Sequence, residues 1–98
     1  MTPGVTWRPQ AVDELVAAVR WYDEQRPGLG DAFADACRAA VDLVASRPLL
    51  FATIHGPIRR VLLRRFPYAI FYLAEERGTV VLGVMHERRD PKAWRSRR

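Results

Sequence analysis

The chain has 98 residues, 49% of them hydrophobic and 28% charged, with a formal net charge of +5. That length suits one domain over residues 1–98 and is short for two, and Cys37, the single cysteine, excludes an intramolecular disulfide. No apolar run approaches the ~20 residues that cross a bilayer, and no basic stretch followed by an apolar one opens the chain, so a cytoplasmic location without a membrane partner is expected.

In chain order, Val5 to Arg8 predicts a short strand that ends at Pro9, since proline suits the first turn of a helix. Val12, Leu15, Val16, Val19 and Tyr22 then recur at helical spacing and predict an amphipathic helix that stops near Arg26, before the breakers of Pro27-Gly28-Leu29-Gly30. A second helix starts between Gly28 and Asp31, with Asp31 as its expected cap, and presents Phe33, Cys37, Ala40 and Val44, flanked by Ala36 and Val41. Its alanines at 32, 34, 36, 39 and 40 favour helix and permit close packing as a hairpin, and Pro48 ends it.

Residues 49–57 are expected to be loop. Strands follow at 58–64 and 68–74, interrupted by Phe66-Pro67, then at Val80 to Met85 beyond a Glu75-to-Thr79 turn in which Gly78 can take positive φ. The continuous apolar run from Val80 implies a strand covered on both faces. Asp90-Pro91 predicts a last short helix, with Trp94 one turn on and able to pack back on the domain, and Arg95, Arg97 and Arg98 in solvent. The order β-α-α-β-β-β predicts an α+β fold in which a helical hairpin packs on a mainly antiparallel sheet, followed by a short basic segment. That segment, residues 86–98, is expected to be dispensable for folding.

Charge is divided unevenly. From position 58 onward there are 11 Lys or Arg against 4 Asp or Glu, whereas residues 1–57 hold 5 against 7. The cations alternate with aromatic and β-branched residues, a pattern that offers charge to a polyanion or an acidic peptide. Serine nucleophiles, a phosphate loop and a metal site find no support in the spacing of Ser46, Ser96, Pro-Gly-Leu-Gly, His55, His86 and Cys37, so no metal or cofactor is expected. What is left is a set of cations and one imidazole: His86 as acid or base, with Arg60, Arg88 and Arg89 on a phosphate, or His86 simply as a strand-end residue bonded to backbone.

Several short motifs in sequence carry a resemblance. Trp21-Tyr22-x-x-Gln25-x-Pro27-Gly28-Leu29-Gly30-x-x-Phe33, Arg47-Pro48, Ile58-Arg59-Arg60, Arg65-Phe66-Pro67-Tyr68 and His86-x-Arg88-Arg89-Asp90-Pro91-x-x-Trp94-x-x-Arg97 together resemble the RelE/ParE superfamily of toxins from type II toxin–antitoxin and plasmid-stabilisation modules. The resemblance implies a cognate antitoxin, a small protein encoded adjacently, and a toxin–antitoxin hetero-oligomer. It implies one of two targets: DNA gyrase, bound without RNA cleavage in the ParE-like branch, or messenger RNA on the ribosome, cut without metal in the RelE-like branch.

Arg60 and Arg88 match two basic positions of the cleaving branch. Ala69 and Leu62 stand where it carries further cations, and Trp94 stands at its terminal tyrosine, so the ParE-like branch fits better. Arg59, Arg60, Arg65, Arg88, Arg89, Trp94 and Arg95 are the expected target-binding or nucleic-acid-binding residues. A basic nucleic-acid-binding module without toxicity is the reading from another class.

Overall fold

The computed structural model describes residues 4–97. Its elements are β1 (Val5–Trp7), α1 (Pro9–Gln25), α2 (Leu29–Ser46), β2 (Thr53–His55), β3 (Ile58–Leu62), β4 (Tyr68–Glu75), β5 (Gly78–His86) and α3 (Lys92–Arg95). The five strands form one sheet in the order β1-β5-β4-β3-β2. Only the β1–β5 pair is parallel, and the other three are antiparallel. The expected α+β arrangement of a helical hairpin on a mainly antiparallel sheet is therefore present.

The segment expected as loop over 49–57 contains β2. Three residues between two turn-forming stretches carry no strand periodicity of their own; they pair because β3 offers a free edge, at Thr53 opposite Arg59 and His55 opposite Ile58. The β4–β5 turn is tighter than expected, with Glu75 directly paired to Gly78. Gly78 has φ +132°, and a Cβ there would lie 1.9 Å from the carbonyl oxygen of Gly4, so glycine is what lets β1 dock on β5.

Alternation along the strands divides the core in two. On one face, Phe33, Cys37, Val41 and Val44 of α2 and Ala11, Ala18 and Tyr22 of α1 cover Val61, Ile70, Tyr72, Val81 and Val84. On the other, Ile58, Ala69, Phe71, Leu73, Leu82 and Met85 gather around Trp94. The expected burial of β5 on both sides is found from Val81 to Met85.

Helix α1 is rotated from its expected orientation. Val12 and Val16 are each 42% exposed, whereas Ala11 and Ala18 are buried. Small side chains let the helix lie close to β5, and the rotation brings the Glu14 carboxylate to the free edge of that strand, where Oε1 accepts the Val84 N–H at 3.1 Å. Asp31 does not cap α2, because the helix begins two residues before it. The first-turn amide of Gly30 instead donates to Asp23 Oδ1 of α1 at 2.7 Å, placing an anion at the positive end of α2. A Cβ on Gly30 would sit 2.5 Å from the Val19 carbonyl oxygen, so this hairpin contact needs glycine.

In the C-terminal segment the expected packing of Trp94 is present, and the expected exposure of Arg97 is not. Trp94 stacks on Phe71 with centroids 4.8 Å apart and rings at 18°, and it is buried. Arg97 is not in solvent: one guanidinium nitrogen donates to Glu14 Oε1 at 2.8 Å and to the Leu82 carbonyl at 3.3 Å. Glu14 and Arg97 thus satisfy the edge of β5 where β1 has ended, as a neighbouring strand would. Trp94 thus ties segment 86–97 to the second core, although residues 86–92 are exposed. Arg98 lies outside the described residues.

Candidate binding surfaces

The alanines of α2 do more than favour helix. Ala36, Ala39 and Ala40, with Leu43, form one wall of a groove whose other wall is Val61 and Leu62 of β3 and whose end is Phe51. The groove measures about 990 Å³ and is predominantly apolar in its residues. Alanine builds it because side chains of one carbon leave space between helix and sheet where larger ones would close it. Leu43 and Leu62 are 40% and 54% exposed along it, and Leu49 and Leu50 are exposed in the turn after α2.

Two interactions hold that turn in place. Tyr72 donates its hydroxyl to the Pro48 carbonyl at 3.3 Å, and Arg59 donates to the Phe51 carbonyl. Burial pushes the Tyr72 phenol up, and the Arg59 cation opposes that shift in part. Arg59 is therefore spent on shaping the groove.

Arg64 and Arg65 stand at the mouth, both exposed. Arg65 has φ +68°, the one described non-glycine residue in left-handed backbone. This reversal lets Phe66 turn inward against Tyr22 and Phe33, at 5.0 and 5.2 Å between centroids, while the arginine side chains face water. Such a conformation costs a non-glycine residue roughly 1–2 kcal/mol, so an arginine there is held by its surroundings.

The nuclease-like set is not assembled. Arg60 pairs with Phe71 across β3 and β4, which directs it to the face of Trp94. His86 pairs with Tyr68, whose ring meets Tyr22 and Phe33 of the helices, so His86 belongs to the opposite face. Its Nδ1 accepts the Arg88 N–H at 3.1 Å, which is the backbone-bonded strand-end role. Arg88 and Arg89 are exposed in the turn that follows.

Of the expected binding residues, Arg60, Arg65, Arg88, Arg89 and Arg95 are exposed, the last lying 5.9 Å from the Trp94 ring. Arg59 is half-buried and Trp94 is buried, so both serve packing. Tyr72 and Phe71 are likewise core, and Tyr68 is half-buried. Cys37 is buried, and desolvation pushes its thiol up to about 12, which suppresses the thiolate. Among the described residues, no group of three His, Cys, Asp or Glu is placed to hold a metal. No described helix is long and apolar enough to cross a membrane.

The groove was missed in the sequence. Its one local sign was the run of exposed leucines, Leu43, Leu49 and Leu50, around Pro48, where an ordinary helix end would be polar.

The profile of the family described as "ParE toxin of type II toxin-antitoxin system, parDE" matches residues 5–91. A solved structure titled "Chromosomal ParDE TA system from P. aeruginosa" is similar in fold, with a TM-score of 0.75 at 15% identity, over 86% of this chain and 95% of that one. No curated protein matches the chain.

Proposed function

The chain belongs to the ParE toxin family of type II toxin–antitoxin systems, and from that premise we propose that it acts by binding: an antitoxin segment occupies the α2–β3 groove, and the exposed arginines engage the target. The observation that carries this is the alanine-walled groove with Arg64 and Arg65 at its mouth. From Ala32 to Leu43, its helical wall runs about 16 Å at 1.5 Å per residue, enough to receive about three turns of an amphipathic helix. The apolar floor suits the buried face of such a helix, and the arginines suit acidic residues beside it.

For the target, the proposal is an enzyme of DNA topology, DNA gyrase, contacted through Arg60, Arg65, Arg88, Arg89 and Arg95. Separation of His86 from Arg60 across the sheet supports a non-cleaving mode, because general acid–base catalysis needs the proton carrier within hydrogen-bond reach of the group it serves. The toxin–antitoxin hetero-oligomer and the cytoplasmic setting follow as parts of the same proposal.

Two measurements test it. Binding to the product of the adjacent gene should weaken at least tenfold in Leu62→Asp, which places a charge on the β3 wall of the groove at an exposed position that the fold does not depend on. Gyrase supercoiling should be inhibited by the chain and relieved by that antitoxin. Codon-phased cuts in messenger on translating ribosomes, with supercoiling untouched, would replace this reading by the ribonuclease one.

A further inference from the structure

The outward face of α1 has a pattern that neither the groove nor the arginines use. Val12, Val16 and Trp21 are 42%, 42% and 53% exposed on it, with exposed Ala17 between. Asp13 and Arg20 are also exposed there and make no ion pair among the described residues. Seven residues, about two turns, separate them, so they share one side of the helix but cannot reach each other.

We propose that α1 is a self-association face, on which a second copy of this chain packs antiparallel about a two-fold axis passing between Val16 and Ala17. Asp13 lies as far before that midpoint as Arg20 lies after it. The two-fold therefore sets Asp13 of each copy level with Arg20 of the other, giving two identical ion pairs from one operation, as an isologous interface requires. At the centre Val16 meets Val16 and Ala17 meets Ala17, and side chains this small permit the ~8–10 Å approach of packed helices. Val12 and Trp21 flank the seam on its two sides and lose water on association. A parallel arrangement would oppose aspartate to aspartate and arginine to arginine, which selects the antiparallel one.

Charge also argues against the occupant proposed for the groove. Alongside Arg20 the exposed face carries Asp13, Asp23 and Glu24, which repel an acidic partner. The two surfaces are separate, since α1 packs on α2 and β5 whereas the groove lies between α2 and β3. Self-association thus leaves the groove open. One helix pair falls short of the ~800 Å² per partner of stable complexes, so a weak, concentration-dependent dimer is expected.

Sedimentation equilibrium of the full chain from micromolar to millimolar concentration tests this. The unaltered chain should dimerise, more weakly as salt is raised. Asp13→Arg and Arg20→Asp should each lower the association constant about tenfold or more, and the two together should restore it to within a few-fold, because each pair is then reversed but intact. Circular dichroism should be unchanged in all three, as both positions are exposed. A chain that stays monomeric throughout, a dimer indifferent to the single reversals, or a double variant that fails to recover would each overturn the proposal.

Discussion

The two faces of the sheet are covered very unequally. On one lie α1 and α2, helices of 17 and 18 residues whose side chains interlock with three strands. On the other lie α3, four residues long, and the indole of Trp94 on Phe71. The first cover is redundant, since many side chains share the burial. The second hangs from one ring and one ion pair, and its thinness leaves Arg60 open to a partner on the sheet itself. Cover and exposure are two consequences of the same short segment.

The largest effect that breaks this comparison should come from ending the chain at His86. Phe71, Leu82 and Met85 would face water, and the Leu82 and Val84 edge groups would lose Arg97 and its hold on Glu14. Trp94→Ala alone should cost about 3–5 kcal/mol, the usual range for a buried tryptophan, out of the ~5–15 kcal/mol that a domain has. Urea unfolding followed by circular dichroism checks it. A truncated chain as stable as the full one would mean that the second face needs no cover.

Much of this architecture was legible locally. The strand and helix order, the breakers at Pro27-Gly28 and Pro48, and the full burial of β5 follow from hydrophobic spacing and turn chemistry, which act over a few residues. The errors share one cause. Val12 and Val16 are more apolar than Ala11 and Ala18, so periodicity placed the valines inside, but close packing on β5 rewarded the smaller side chains. The strand β2 exists only because β3 lies beside it. Arg97 meets Glu14 across 83 positions, and nothing near either residue announces the other. The candidate surface was legible as an excess of arginine but not as a shape, since a groove is made by two elements that meet only in the fold.

The second effect, smaller and sharper, concerns that ion pair. Glu14 and Arg97 are both mostly buried, and Glu14 also serves the Val84 amide. Removing Glu14 leaves the Val84 N–H without an acceptor, and removing Arg97 leaves the Leu82 carbonyl without its donor, while each also breaks the ion pair, so Glu14→Ala and Arg97→Ala should each cost about 1–3 kcal/mol. Because they share one bond, the double substitution should cost clearly less than the sum. Additive losses would show that the two side chains stabilise the chain independently, and the view of them as one substitute strand would fail.

The smallest effect at neutral pH probes the thick cover instead, through Cys37. Its thiol is pushed up to about 12 by burial, above the ordinary value near ~8.5 that it regains in the unfolded chain. The folded state therefore holds this proton while the unfolded state releases it. A group raised in the folded state contributes its full stability below the unfolded value and loses it as pH climbs toward the folded one, so stability should decline from about pH 8.5 upward. At pH 9 the loss should be under about 1 kcal/mol, growing by roughly 1.4 kcal/mol for each further unit until the folded thiol itself titrates. Tyr22 and Tyr72, whose phenols are also raised by burial, add losses of the same sign once their unfolded forms ionise near ~10. The window between about pH 8 and 9.5 thus isolates the cysteine. Cys37→Ala should be less stable throughout, from the small cavity it leaves, yet its stability should be flat across that window where the unaltered chain slopes. Parallel slopes for the two would mean that water reaches the thiol beneath α2, and that the helical cover is no drier than the thin one opposite.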